Sequence, residues 1–195
     1  PPPPLLATSP LPSGAPAFDR IDVNDWLPAF EEAIRLARAD IRAITDNPEE
    51  PSFSNTIEAL ELAGRELDRV SGLFFNLTEA CTNETMDRIA EEVSPQLTRY
   101  SMSILLDEKL FARVKAVWEK RAELALDTEA GKLLEETWKS FARHGANLPA
   151  DKKERFSQLS EELSLATLKF GQNVLAATNA FTLHLEDEAD LDGLP

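Results

Sequence analysis

Apolar residues recur at helical spacing along almost the whole chain. Phe30, Ile34, Ala37, Ile41 and Ile44 alternate spacings of four and three, the single stripe of an amphipathic helix. This helix is predicted to open at Asn24 or Asp25 and to close at Asn47-Pro48, with Pro28 in the first turn, where a missing N–H costs nothing. A second helix follows Ser54 as its cap, with Ile57, Leu60, Leu67, Val70 and Phe74 on its core face. Gly64 falls on the same stripe and costs roughly 1 kcal/mol against alanine in a helix, which close approach of a neighbouring helix would explain. Thr82-Asn83 breaks and recaps the chain. Met86, Ile89, Val93, Leu97, Tyr100 and Ile104 then carry a third helix to Asp107, with Pro95 inside it predicted to kink or split it. Leu110, Val114 and Val117 mark a fourth helix. Leu134, Trp138 and Phe141 mark a fifth, which stops at His144-Gly145 with glycine in the capping position. The longest helix opens at Leu-Pro-Ala-Asp. Phe156, Leu159, Leu163, Ala166, Phe170 and Val174 run along it with a near-heptad period to Asn179.

The pattern changes at the end. Phe181-Thr-Leu-His-Leu185 alternates as a strand does, and Glu186–Pro195 reads as an acidic turn. A lone strand leaves backbone groups unpaired, so this one is predicted to pair outside the chain, which therefore reads as the front part of a longer protein. At the other end, residues 1–17 hold seven of the 13 prolines and are predicted to be extended. The expected fold is all-α: a bundle of about six mostly long antiparallel helices with a short terminal β-strand. Three segments follow: a proline-rich lead over 1–17, the helical region over 18–180, and the strand with its acidic turn over 181–195. No short-period repeat suggests a solenoid.

Composition narrows the function. The 195 residues are 43% hydrophobic, enough for a core, and carry a formal net charge of −15. That balance argues against nucleic acid, whose phosphates require clustered cations. One cysteine, Cys81, excludes a disulfide scaffold and cysteine-based zinc sites. No apolar run reaches the ~18 residues needed to cross a bilayer. The first residues show no charged, apolar leader. The cytoplasm is the expected compartment, or the periplasm if a signal peptide has been removed.

Candidate chemistry is sparse. Zinc hydrolases of the His-Glu-x-x-His type place two imidazoles one helical turn apart, whereas His144 and His184 stand forty residues apart and neither precedes Glu. The Glu-x-x-His of di-iron bundles fails as well, because Phe141 and Phe181 occupy the required positions. Glu188, Asp190, Asp192 and Gly193 share offsets with a calcium loop, but Pro195 intrudes and the last ligand position is missing. Adjacent acids such as Glu49-Glu50, Glu91-Glu92 and Glu161-Glu162 point to different faces. Asn76 and Asn83 match the short glycosylation pattern, which arises easily by chance. There is no glycine-rich phosphate loop and no nucleophile elbow. No catalytic, cofactor-binding or metal-binding residue is assigned.

Several strings carry a resemblance. Ser52-Phe-Ser-Asn-Thr-Ile57, Phe74-Phe-Asn-Leu-Thr78, Thr82-Asn83-Glu84, Leu110-Phe-Ala-Arg-Val-Lys115 and Gly145-Ala-Asn-Leu148 occur in order. Phe170-Gly-Gln-Asn-Val-Leu175 and Thr178-Asn-Ala-Phe181 follow, running into Asp187-Glu-Ala-Asp-Leu-Asp-Gly-Leu-Pro195. From about Phe18 onward the chain resembles the N-terminal region of thimet-oligopeptidase-like zinc metallopeptidases, most of all the peptidyl-dipeptidase and oligopeptidase A branch. The resemblance implies a helical channel enzyme acting on short peptides. It also implies one zinc in the parent protein, held by a His-Glu-x-x-His motif and a downstream glutamate that have no counterpart here. The partners implied are the catalytic C-terminal half and oligopeptide substrates, with neither nucleic acid nor membrane. This region would form channel wall and be inactive alone. An apolar patch is expected beside Phe181–Leu185, and dimerisation of the isolated chain through it. The rival readings are a stand-alone peptide- or protein-binding bundle, and a split product that works when a separate catalytic chain docks.

Overall fold

The computed structural model describes every residue except Pro1, Pro2, Thr8, Pro10, Glu188, Asp190, Leu191, Leu194 and Pro195, with the side chain of Ala150 also excluded. The calcium-like offsets at Glu188 and Asp190, and much of the acidic turn, lie outside the described residues.

Helix α1 (Trp26–Thr45) is the beam on which the bundle is built. A three-ten turn, Val23–Asp25, leads into it through a reciprocal capping box. The Asp22 N–H donates to Asp25 Oδ2 at 2.8 Å, and Asp22 Oδ1 accepts from the Asn24 N–H at 2.9 Å. The predicted stripe is the buried one: Phe30, Ile34, Ala37, Ile41 and Ile44 all face inward. Its two halves serve different clusters. Trp26 through Ala37 pack with Leu67, Val70 and Phe74 of α3 (Arg65–Cys81) and with Met86, Ile89 and Val93 of α4 (Glu84–Leu105). Ile41 and Ile44 pack with Ile57, with Leu110, Val114 and Val117 of α5 (Glu108–Glu119), and with Leu134 and Phe141 of α6 (Thr128–Arg143).

The second predicted helix is two pieces with an unusual start. Its cap is Ser52 rather than Ser54, and residues Phe53–Glu58 form a π-helical turn before the short α2 (Ala59–Leu62). The chain then breaks at Ala63-Gly64. Gly64 adopts φ +76°, and a Cβ there would lie 3.3 Å from Tyr100 Oη and 3.4 Å from Ala37 Cβ. The close approach expected of Gly64 is therefore present. The left-handed backbone, which glycine adopts at little cost, ends α2 at the same point. The Gly64 N–H donates to Asp40 Oδ2 of α1 at 3.1 Å instead of to a helical carbonyl.

Pro95 does not split its helix, since α4 runs unbroken from Glu84 to Leu105. Proline removes one hydrogen bond, the one to the carbonyl of Glu91, and Glu91 is exposed. The opposite face is held by buried Val93, and the Ser94 hydroxyl donates to the Ala90 carbonyl at 2.7 Å. The remaining boundaries are capped by side chains, at Asn83 and Asp107 as the sequence indicated and at Asp127, which it did not. Asn83 accepts from the N–H groups of Thr85 and Met86, Asp107 from Leu110, and Asp127 from Ala130. Gly145, at φ +91°, turns the chain out of α6.

Two terminal segments differ from a plain extended reading. Three-ten turns at Pro4–Leu6 and Pro12–Gly14 interrupt the lead, and Leu5 is buried against the first cluster. No strand forms among the described residues. Phe181–Leu185 leaves the last helix with Phe181 at φ −70°, ψ 128° and continues as exposed chain with no ladder partner. An alternating pattern supplies only one of the two edges a ladder requires.

Candidate docking surface

The longest helix, α7 (Ala150–Ala180), buries none of its described side chains. It packs mainly along α4 through a row of serines and Leu168. Ser157, Ser160, Ser164 and Leu168 are half-buried, and Leu168 packs on the first cluster. Arg99 of α4 reaches Glu161 at 3.3 Å, and Lys153 bridges to Glu108 at 2.9 Å. Most of the other large apolar residues lie elsewhere on the helix. Leu163 is 67% and Phe170 70% exposed, with Leu159 and Val174 exposed beside them. At 100° per residue this row points well away from the α4 contact. Beyond α7 the apolar surface continues through Phe181, Leu183 and Leu185, also exposed. A row of this kind on a folded domain marks a surface meant to be covered. The patch expected beside Phe181–Leu185 is present, and it extends several turns further back along α7.

The predicted chemistry does not converge. His144 sits at the end of α6, where its Nδ1 lies 2.8 Å from the Ser140 carbonyl oxygen. His184 is exposed in the segment after α7, and Cys81 is exposed at the end of α3. Among the described residues no three His, Cys, Asp or Glu side chains gather as metal ligands. Among the described residues the zinc that the resemblance implies finds no ligand set. A cavity of about 390 Å³ lies under the lead, lined by Leu5, Ala17, Ile21 and Leu73 with Arg20 and Arg69 beside them. Sequence reasoning gave no sign of it, because the turns that form it depend on tertiary contact.

Among the described residues, Tyr100 is the one titratable group moved far. Burial, and then the nearby carboxylates of Asp68 and Asp40, push its phenol up to about 12. It is the only tyrosine in the chain, so ultraviolet titration of phenolate reads it alone. A midpoint near 12, against the ordinary 10.0, is expected. The folded-state value is raised, so stability linked to this group is intact below the ordinary value and declines as pH climbs through the folded one. A midpoint at the ordinary value in the folded protein would contradict this packing.

No protein-family model matches the chain. It is 41% identical over 98% of its length to the dipeptidyl carboxypeptidase of Escherichia coli K12. It is 26% identical over 98% of its length to oligopeptidase A of Salmonella typhimurium, and 26% over 92% to a probable cytosolic oligopeptidase A of Arabidopsis thaliana. The chain spans 28% of the length of the two bacterial proteins and 26% of the plant protein. The stretch it matches is their N-terminal part. The chain is thus similar to the N-terminal part of oligopeptidase-type peptidases, with its higher identity to dipeptidyl carboxypeptidase.

Proposed function

We propose that this chain is the non-catalytic helical wall of a zinc-dependent peptidase that releases dipeptides from the C-termini of short peptides, or cuts oligopeptides internally. The 41% identity to a dipeptidyl carboxypeptidase over nearly the whole chain carries this reading. The exposed apolar row of α7 supports it, as the surface on which the catalytic part would sit. The division into a lead over 1–17, a helical region over 18–180 and a connecting segment over 181–195 belongs to the same proposal. So does residence in the cytoplasm; no helix among the described residues is long and apolar enough to cross a membrane. A stand-alone binding module is less favoured, because it would leave the α7 row uncovered.

The test is reconstitution. The coding frame read past Pro195 is expected to carry His-Glu-x-x-His and a downstream glutamate. The 195-residue chain, with added zinc, should leave N-blocked short peptides intact. Supplying the remaining polypeptide should restore dipeptide release, and Phe170→Asp should weaken that restoration. Hydrolysis by the isolated chain, or a following sequence without zinc ligands, would overturn the proposal.

A further inference from the structure

We propose that the isolated 195-residue chain associates with a second copy of itself as an antiparallel dimer along α7. Phe156, Leu159, Leu163, Ala166, Phe170 and Asn173 recur with alternating steps of three and four, the spacing of a two-stranded seam. Of these, Leu159, Leu163 and Phe170 are large, apolar and exposed. The row turns away from α4, so two bundles can meet along it without collision.

The flanking charges choose the direction. Arg155, Glu162 and Lys169 lie at heptad intervals along one side of the row, and the other side, over Ser160, Thr167 and Val174, is uncharged. Antiparallel alignment about a two-fold axis between Ser164 and Leu165 sets Leu163 against Ala166 of the second copy and Leu159 against Phe170, large against small or aromatic. The same alignment brings Glu162 to Lys169 across the seam, and the symmetry repeats the pair. A parallel alignment would instead bring Glu162 to Thr167 and Lys169 to Val174, leaving both charges without partners. Lys169 makes no ion pair among the described residues, and Glu162 has Arg155 at 3.5 Å on its own helix.

Sedimentation equilibrium of the chain from micromolar to millimolar concentration tests this. The wild type is expected to approach the dimer mass. Leu163→Asp should stay monomeric at every concentration with unchanged helical circular dichroism, since Leu163 contributes little to the core. Glu162→Lys and Lys169→Glu should each weaken association by about tenfold, because each sets like charges across the seam. An equimolar mixture of these two variants should form a heterodimer at wild-type strength, since each seam pair is then opposite in sign. A monomeric wild type, or a mixture no tighter than either variant alone, would overturn the proposal. Either result leaves the reconstitution assay as a separate reading of the peptidase role.

Discussion

Replacing Phe74 by alanine is expected to lower stability by about 4 kcal/mol, the usual cost of emptying a buried aromatic site. Phe74 is fully buried. Its ring meets Trp26 at 5.2 Å and Phe30 at 5.4 Å, both edge-on, with Phe75 at 5.1 Å on the same helix. Edge-to-face pairs of this kind add to plain area burial, and alanine forfeits them with the volume. Both main-chain neighbours of the site are fixed: Phe30 belongs to α1, which also serves the second cluster, and Val70 and Phe74 share one face of α3. Collapse into the cavity is thereby restricted, which places the cost in the upper range. In a protein of this size the loss corresponds to a fall in Tm of about 12 °C. Phe170→Ala is the control. Its ring is 70% exposed, and a surface truncation should stay within about 0.5 kcal/mol. Equal effects of the two substitutions in denaturant melts would refute the assignment of inner and outer faces.

The contrast between those two phenylalanines also shows what the sequence reveals. Both sit on apolar rows at helical spacing, and periodicity alone does not say which row meets the core. For α1 the answer was legible, because several alanines interleave with the large residues and one face is plainly apolar. For α7 the near-heptad row was legible as a helix, but its period alone did not say that it faces outward. The face that meets α4 is mostly serine, with Leu168 as its apolar anchor, and the small serines allow close packing but leave little hydrophobic signal. The helix ends were legible at Asn83 and Asp107, where a side chain caps, and at Gly145, where a left-handed glycine turns the chain; the Asp127 cap was not read from the sequence. The break at Gly64 was hidden, since one left-handed residue turns the chain while the apolar positions on either side still fit a single stripe. Pro95 misled in the opposite direction, because tertiary packing on the far face outweighs one lost hydrogen bond.

Arg113 is the residue the sequence concealed most completely. Between Leu110 and Val114 it reads as a surface position, yet it is only 8% exposed. Its Nη1 donates to the carbonyl oxygens of Asn47 and Glu49 at 3.0 and 3.2 Å, and its Nη2 to Asn55 Oδ1 at 3.0 Å. The same Asn55 oxygen accepts from the Ser52 N–H and the Thr56 hydroxyl, both at 2.9 Å, and Asn55 Nδ2 donates to the Glu50 carbonyl at 2.9 Å. One guanidinium and one amide thus tie the connection after α1 to the π-helical turn. Arg113→Ala is expected to cost about 3 kcal/mol, since three charge-assisted bonds are lost together with the packing of a buried guanidinium. Asn55→Ala should cost about 2 kcal/mol on the same grounds. The double variant should lose clearly less than the two costs combined, because each substitution disables the same network. Arg113→Lys should recover only part of the loss, as an ammonium cannot span both carbonyls and the amide as the planar fork does. Lys120 pairs with Glu50 of the same connection at 3.7 Å, but both side chains are exposed, so Lys120→Ala should change stability by less than about 0.5 kcal/mol. The guanidinium is shielded from solvent, so the cost of Arg113→Ala should persist in high salt, whereas any contribution from the Lys120 pair should disappear. Additive costs for Arg113 and Asn55, or a loss that salt abolishes, would mean that the apolar cluster alone holds this connection in place.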